Sequence, residues 1–331
     1  MNAVSPRAVR HFEPPTTLSG WLVARRFQLA RRITQAGVLL LFAGTAAWGW
    51  KLAGAPLLAG NLSAATLAGS VPLVDPFAVL QMLAAGRVPE STALGGALLV
   101  LAAYLVAGGR AFCAWACPMN LVTDAAHAMR QRVGGRDLVH LSPSMRYWAL
   151  GLALVLSALT GLAAFEWVSP IAMLHRELLF GAGLGLTAAA AIFLLDAFVA
   201  KRAWCGHLCP LGAFWSVAGR AGLTKVAFSD AACTRCGDCV RACPEPRVLD
   251  FKNCAARGFV AAGECTNCGE CIAVCPEKAL RFDLLARAPR PDPFRRKEKP
   301  HETHPARSSS PRSPRSPSRR SPRRFPTRSS A

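Results

Sequence analysis

Cysteine is the residue type in this sequence best placed to do chemistry. There are thirteen, and twelve of them fall into four tight motifs, each ending in Cys-Pro. Cys233, Cys236, Cys239 and Cys243, followed by Pro244, recur at identical spacing as Cys265, Cys268, Cys271 and Cys275, followed by Pro276. Three cysteines so spaced wrap one loop around a metal cluster corner by corner, and the fourth ligand arrives from elsewhere. In two-cluster ferredoxins the fourth cysteine of each run serves the other cluster. The expected ligand sets are therefore Cys233, Cys236, Cys239 and Cys275 for one 4Fe–4S cluster, and Cys265, Cys268, Cys271 and Cys243 for a second. Four-cysteine zinc sites usually come as two separated pairs rather than as runs of four closed by proline, so clusters are the better reading. Gly237 and Gly269 allow close backbone approach, and each proline ends its loop. Cys254 falls between the runs without a spacing partner and is expected to be a free thiol.

The remaining cysteines form a second repeat. Arg110-Ala111-Phe112-Cys113-Ala114-Trp115-Ala116-Cys117-Pro118-Met119 recurs as Arg202-Ala203-Trp204-Cys205-Gly206-His207-Leu208-Cys209-Pro210-Leu211. Cysteines four apart share one face of a helix. Four such thiols brought face to face are suited to ligating a metal or cluster, to forming redox-active disulfides, or to simple packing as small apolar groups. Repetition of this kind argues for metal ligation in a reducing compartment over a disulfide framework. His207 is read as an interfacial side chain.

The elements that must position these thiols are set by the apolar runs. The 331 residues are 52% hydrophobic yet carry a formal charge of +20, and the two properties separate along the chain. Four stretches, 33–50, 91–109, 147–165 and 181–200, are apolar enough to be expected as transmembrane helices. Tryptophans such as Trp48, Trp50, Trp148, Trp167 and Trp204 flank them. Arginines at 7, 10, 25, 26, 31 and 32, and again at 110, 130, 132, 136 and 146, outnumber the basic residues of the other two loops. The excess predicts a multi-pass membrane protein with both termini and the ferredoxin domain cytoplasmic. Arg25 and Arg26 are taken as part of this topology signal and not as a secretory leader. Residues 52–86 are expected outside, partly on the membrane surface.

The expected fold is thus an α-helical membrane protein of four transmembrane helices, arranged as two parallel helix-hairpin repeats, joined to an α+β two-cluster ferredoxin-like domain. Its parts are a cytoplasmic segment (1–32), a membrane domain with the two Cys-x-x-x-Cys-Pro motifs (33–220), the ferredoxin-like domain (221–286) and a disordered tail (287–331). The tail holds 14 Lys/Arg against 3 Asp/Glu and is rich in Ser-Pro-Arg. Such a chain buries too little apolar surface to fold alone. Anionic lipid is its nearest partner on charge grounds, and no specific nucleic acid is expected.

From Trp21 to Phe282 the chain resembles the NapH family, the membrane ferredoxin-type subunits of periplasmic nitrate reductase systems. Besides the cysteine motifs, the resemblance is carried by Gly60-Asn61-Leu62-Ser63, Val71-Pro72-Leu73-Val74-Asp75-Pro76, Leu80-Gln81, Glu166-Trp167-Val168-Ser169-Pro170, Trp204-Cys205-Gly206-His207 and Cys243-Pro244-Glu245-Pro246. The Arg/Ser/Pro tail departs from that pattern. The resemblance implies a quinol dehydrogenase role: electrons taken from the membrane quinone pool and passed, with a NapG-like periplasmic ferredoxin or a NapC-like tetrahaem cytochrome, toward nitrate reductase. A quinol also releases protons, and Asp75 and Glu166 are the candidate acceptors, with His175 and Asp196 behind them; each is equally suited to a capping or ion-pairing role. Two other classes of function stay open: an assembly or maturation factor for a respiratory metalloenzyme, and an anchor that only recruits a partner.

Overall fold

The structure is a computed structural model that describes residues 11–52, 54–135, 137–181, 184–261 and 263–284. The tail expected at 287–331, and Arg7, Arg10 and Arg136 of the topology argument, lie outside the described residues. Helix α1 (Leu18–Ala24) leads into α2 (Arg26–Trp48). Five short strands follow: β1 (Lys51–Leu52), β2 (Ala55–Pro56), β3 (Leu58–Gly60), β4 (Ala64–Leu67) and β5 (Val71–Val74). Next come α3 (Pro76–Ala84), α4 (Ser91–Ala107), α5 (Ala111–Trp115), α6 (Met119–Val133) and α7 (Met145–Thr160). Helices α8 (Ala164–Val168), α9 (Pro170–Phe180) and α10 (Leu184–Leu194) complete the apolar part, and α10 widens into a π-helical turn over Leu195–Val199. A second π-helical turn, Trp204–Leu208, precedes α11 (Pro210–Ala218). The cysteine runs lie between β6 (Thr224–Phe228) and β7 (Leu280–Leu284), with α12 (Asp238–Ala242), α13 (Phe251–Arg257) and α14 (Glu270–Ala273) in between.

The expectation of four transmembrane helices is corrected here. No helix among the described residues is long and apolar enough to cross a membrane. Helix α4 has 17 residues, α7 has 16 and α10 has 11. They rise about 26, 24 and 17 Å, short of a hydrocarbon core of about 30 Å. Glycines make the breaks. Gly108 and Gly109 turn the chain with φ of +80° and +58° after α4, and Gly161 caps α7 in the left-handed region. Helix α2, at 23 residues, has the length. Its first half carries Arg26, Gln28, Arg31, Arg32 and Gln35, and Arg31 and Gln35 are buried against protein partners: Arg31 reaches Glu270 at 2.5 Å, and Gln35 donates to the Ala114 carbonyl at 2.8 Å.

The two parallel hairpins are corrected with them. Helix α4 packs mainly on β5 and α3, α7 on α11 and α3, and α10 on α9 and α6. The multi-pass inner-membrane placement, and the sidedness of the termini and the ferredoxin domain, rested on those crossings and fall with them. Within the segment 52–86, β3, β4 and β5 form an antiparallel sheet with Leu58 opposite Leu67 and Ala65 opposite Leu73. Its inner residues, Leu58 and Ala65, bury Phe42 of α2. Asp75 then caps α3, accepting from the Phe77 amide at 3.1 Å, with Pro76 pre-set for the first turn.

The helical part has a core of Phe77, Met119, Phe165, Ile171, Leu211 and Trp215. Gln81 is fully buried in it, accepting from the Phe165 amide at 2.8 Å. The cysteine-rich part has its own core, in which Val226, Phe228, Val260 and Leu280 pack beneath the thiols. Antiparallel β6 and β7 close that part, pairing Thr224 with Leu284. Both parts belong to one compact unit, Met1–Pro291. They meet where Gly108 and Gly109 touch the cysteine-rich loops: a Cβ on Gly108 would fall 1.9 Å from the Thr224 carbonyl oxygen, and one on Gly109 would fall 2.2 Å from that of Cys265.

Gly108→Ala therefore combines a positive φ with a backbone clash and is expected to lower stability by about 2 kcal/mol or more. Gly37→Ala, in the middle of α2 with open space around its Cβ position, is expected to raise it by about 0.5–1 kcal/mol. Thermal unfolding of the two purified variants side by side checks both signs.

Candidate metal centres

The two cysteine runs share one backbone path. In the first, Arg235 has φ of +56° and Gly237 +82°; in the second, Asn267 has +47° and Gly269 +79°, at the same places in the motif. Left-handed residues coil the loop tightly enough to turn three successive cysteines inward. Asn267 is held in that conformation by its own side chain, which donates to the carbonyls of Ala107 at 3.1 Å and Thr224 at 2.9 Å. Cys233, Cys236, Cys239 and Cys275 together line one cavity, walled by Phe228, Phe251 and Leu280. Cys243 lies within electrostatic reach of Cys268 and Cys265, and Cys271 within reach of all three. Cys271 also feels Cys239, so the two sets are neighbours. Cys254, on α13, is buried in the same core, within electrostatic reach of Cys239 and Cys265.

Burial pushes the Cys239 thiol up to about 11, with Cys275, Cys233 and Cys236 adding to the effect. Cys265 is pushed to about 12, chiefly by burial. Thiols crowded in this way do not ionise without a cation to share. Amides also point at sulfur: Arg235 N–H donates to Cys233 Sγ at 3.4 Å and Ala279 N–H to Cys275 Sγ at 3.3 Å. Among the described residues no three metal-binding side chains close around a single ion. Mononuclear zinc would need its four sulfurs about 2.3 Å from one point. Cavity-lining thiols with amide donors fit a larger, multi-iron group.

The second repeat also converges. Cys113 lies on α5 and Cys117 just beyond it; Cys205 lies in the π-helical turn, and Cys209 caps α11 with its sulfur accepting from the Gly212 amide at 3.4 Å. All four line one cavity, together with Arg31, Arg110 and Arg202. Burial, then Cys113, pushes Cys209 to about 11. Pro244, Glu245 and Thr266 of the cysteine-rich part line the same cavity.

Glu245 joins the two parts. Arg110 Nη1 donates to its Oε1 at 3.2 Å and Arg146 Nη1 at 3.1 Å, both arginines being almost fully buried. Arg110 Nη2 also donates to the Cys205 carbonyl at 2.9 Å. Gly212 leaves room for this guanidinium, since a Cβ there would sit 2.7 Å from Nη2. Nearby, Asp124 bridges Arg32 at 2.6 Å and Arg202 at 2.5 Å. In the sequence Glu245 stands out only as an acid between two prolines, two residues after Cys243.

The acids proposed for proton chemistry lie elsewhere. Asp75 is pushed up to about 7, chiefly by burial, with the Glu166 charge adding to it. Glu166 accepts from the Ser63 hydroxyl at 2.6 Å and is itself raised by burial. His175 packs edge-on against Phe42 at 4.7 Å, and burial lowers its pKa. Asp196 is buried within the first π-helical turn, accepting at 3.1 Å from the amide of Trp204, which opens the second.

Comparison with known proteins matches these regions. A family model described as a 4Fe–4S binding domain fits residues 92–136 and again 182–228, one copy over each Cys-x-x-x-Cys-Pro motif. A 4Fe–4S dicluster domain fits residues 225–276. The methylamine utilization ferredoxin-type protein MauN of Methylorubrum extorquens is 44% identical over 70% of this chain and 79% of its own. The ferredoxin-type protein NapH of Escherichia coli is 40% identical over 70% and 79%. The putative electron transport protein YccM of Escherichia coli is 26% identical over 55% of each chain. No solved structure matches.

Replacing Glu245 with Leu leaves buried Arg110 only the Cys205 carbonyl and buried Arg146 only Glu264 at 3.8 Å, and is expected to cost about 3 kcal/mol, read from the loss of unfolding temperature. Asp75 has a second signature. Because its folded-state pKa is raised, the folded state holds that proton more tightly, and stability falls as pH rises from about 4 to about 7. Asp75→Asn keeps the helix cap and should remove that part of the slope in unfolding measured across this range; an unchanged slope contradicts the assignment.

Proposed function

This chain belongs to the NapH and MauN family of ferredoxin-type proteins, and on that premise we propose that it takes electrons from a quinol and passes them toward nitrate reductase. Electron transfer through iron–sulfur clusters is common ground for the family and its 4Fe–4S domains. The single observation that carries the fuller reading is the adjacency of the thiol sites: the four-thiol cavity shares Pro244, Glu245 and Thr266 with the loops of the cysteine runs.

In this reading Cys233, Cys236, Cys239 and Cys275 hold one cluster, and Cys265, Cys268, Cys271 and Cys243 the other. Bound there, the clusters supply one-electron chemistry, at potentials tuned by hydrogen bonds to sulfur and by burial. The chain's own residues prepare the setting. Arg31, Arg110 and Arg202 bring positive charge to the wall of the four-thiol cavity. Phe112, Tyr104 and Trp215 pack into an aromatic wall beside it, with ring centroids 5.1–5.9 Å apart. Asp75 and Glu166 are half-buried carboxyls with raised pKa values, fit to accept the protons that a quinol releases. A NapG-like ferredoxin or a NapC-like tetrahaem cytochrome is the next carrier.

The 44% identity to MauN favours a second outlet, methylamine utilization. A deletion strain separates the two: loss of nitrate-dependent growth supports the first, and loss of growth on methylamine the second.

The donor is tested directly by mixing the anaerobically purified protein with decylubiquinol and following electron paramagnetic resonance. Signals of reduced clusters are expected in the wild type, with one of two signals lost in Cys236→Ser. Clusters that dithionite reduces but quinol leaves oxidised would overturn the donor assignment.

A further inference from the structure

Cys113, Cys117, Cys205 and Cys209 come from two copies of one motif, and the fold sets all four against one another. Cys117 lies within electrostatic reach of Cys113 and Cys209, Cys205 within reach of the other three, and Cys209 within reach of Cys113. Every pairing within the set is therefore close, as it is among Cys243, Cys265, Cys268 and Cys271. None of the four is joined in a disulfide. Their cavity is about 40 Å³, against about 20 Å³ for the one lined by Cys233, Cys236, Cys239 and Cys275. Amides point at sulfur here too: Gly212 N–H donates to Cys209 Sγ at 3.4 Å, and the amides of Met119 and Asn120 donate to Cys117. Arg110 is drawn to Cys113, Cys205 and Cys209 as well as to Glu245, and Arg202 to Cys205. Buried positive charge on the wall of a thiol cavity favours sulfur in its thiolate form.

We propose that the two motifs build one site, and that Cys113, Cys117, Cys205 and Cys209 hold a third 4Fe–4S cluster there. Each of the two matched 4Fe–4S binding domains brings only two cysteines, so neither completes a ligand set alone. The fold supplies the missing half by bringing α5 and the second π-helical turn to the same cavity. As in the cysteine runs, no three of these side chains close around a single ion among the described residues, which argues against zinc. Ligation is an exchange without change of oxidation state: each thiol gives its proton to solvent as its sulfur bonds one iron of the incoming cluster. The site adjoins the set of Cys243, Cys265, Cys268 and Cys271. Thr266, between Cys265 and Cys268, lines the four-thiol cavity, and Arg202 is drawn to Cys205 and Cys268 alike. The assignment rests on the iron–sulfur reading above and adds a third centre to its two.

The test is native mass spectrometry of the full chain after oxygen-free purification, with iron and sulfide counted on the same sample. Wild type is expected to carry three clusters, with about twelve irons and about twelve sulfides. Cys117→Ala and Cys205→Ala, one from each copy of the motif, are each expected to fall to about eight irons. Both should keep the electron paramagnetic resonance signals of the two ferredoxin clusters. Wild type that carries only two clusters, with the four cysteines as thiols or as a disulfide, would overturn the proposal and leave the ferredoxin reading intact. The mass of the wild-type chain decides that point alone, even where a variant folds poorly. A folded variant that still carries three clusters would overturn the ligand set. Wild type free of iron would remove the iron–sulfur reading, and the third centre with it.

Discussion

Glu245 offers one carboxylate to two almost fully buried guanidinium groups, Arg110 at 3.2 Å and Arg146 at 3.1 Å. Buried ions so close together are tolerable only while every partner is present, since each charge left alone carries a large desolvation penalty. The positions of the three residues give this constraint its reach. Glu245 lies two residues after Cys243, Arg110 three before Cys113, and Arg146 at the start of α7. The ion cluster thus sets the register between the cysteine runs and the four-thiol cavity. The glycine pair at 108 and 109 supports the same register, because any larger residue there would push the Thr224 and Cys265 carbonyls away.

Charge around the thiols follows from that arrangement. Arg31 pairs with Glu270 in the second run, while Arg32 and Arg202 share Asp124. These arginines therefore reach the thiol region already partnered, with fixed geometry. Asn267 ties the second loop to the end of α4 through the Ala107 carbonyl, and the Trp115 indole donates to the Asn267 carbonyl at 3.1 Å. A cysteine loop held from both sides has little freedom to reorganise, which suits a site that exchanges only electrons.

Much of the chemistry was legible in the residues because loop spacing and ligand geometry are nearly the same information. The runs at 233–243 and 265–275 repeat a backbone path, and the repeated Arg-x-x-Cys-x-x-x-Cys-Pro motif converges on one cavity. The helices were harder to read. Hydropathy sums apolar residues across a window and cannot see that Gly108, Gly109 and Gly161 interrupt the helix, or that Arg31 and Gln35 find protein partners. The strands at 58–74 escaped notice because they are short, alanine-rich and carry Pro72 in β5. Glu245 was invisible in its role, since a buried ion cluster exists only once distant segments meet.

Iron and acid-labile sulfide counted per chain after oxygen-free purification test the central claim most directly. The account predicts about eight of each, rising toward twelve if the four-thiol cavity is also filled. A protein that is folded, colourless and free of iron, or that carries zinc in its place, would contradict it.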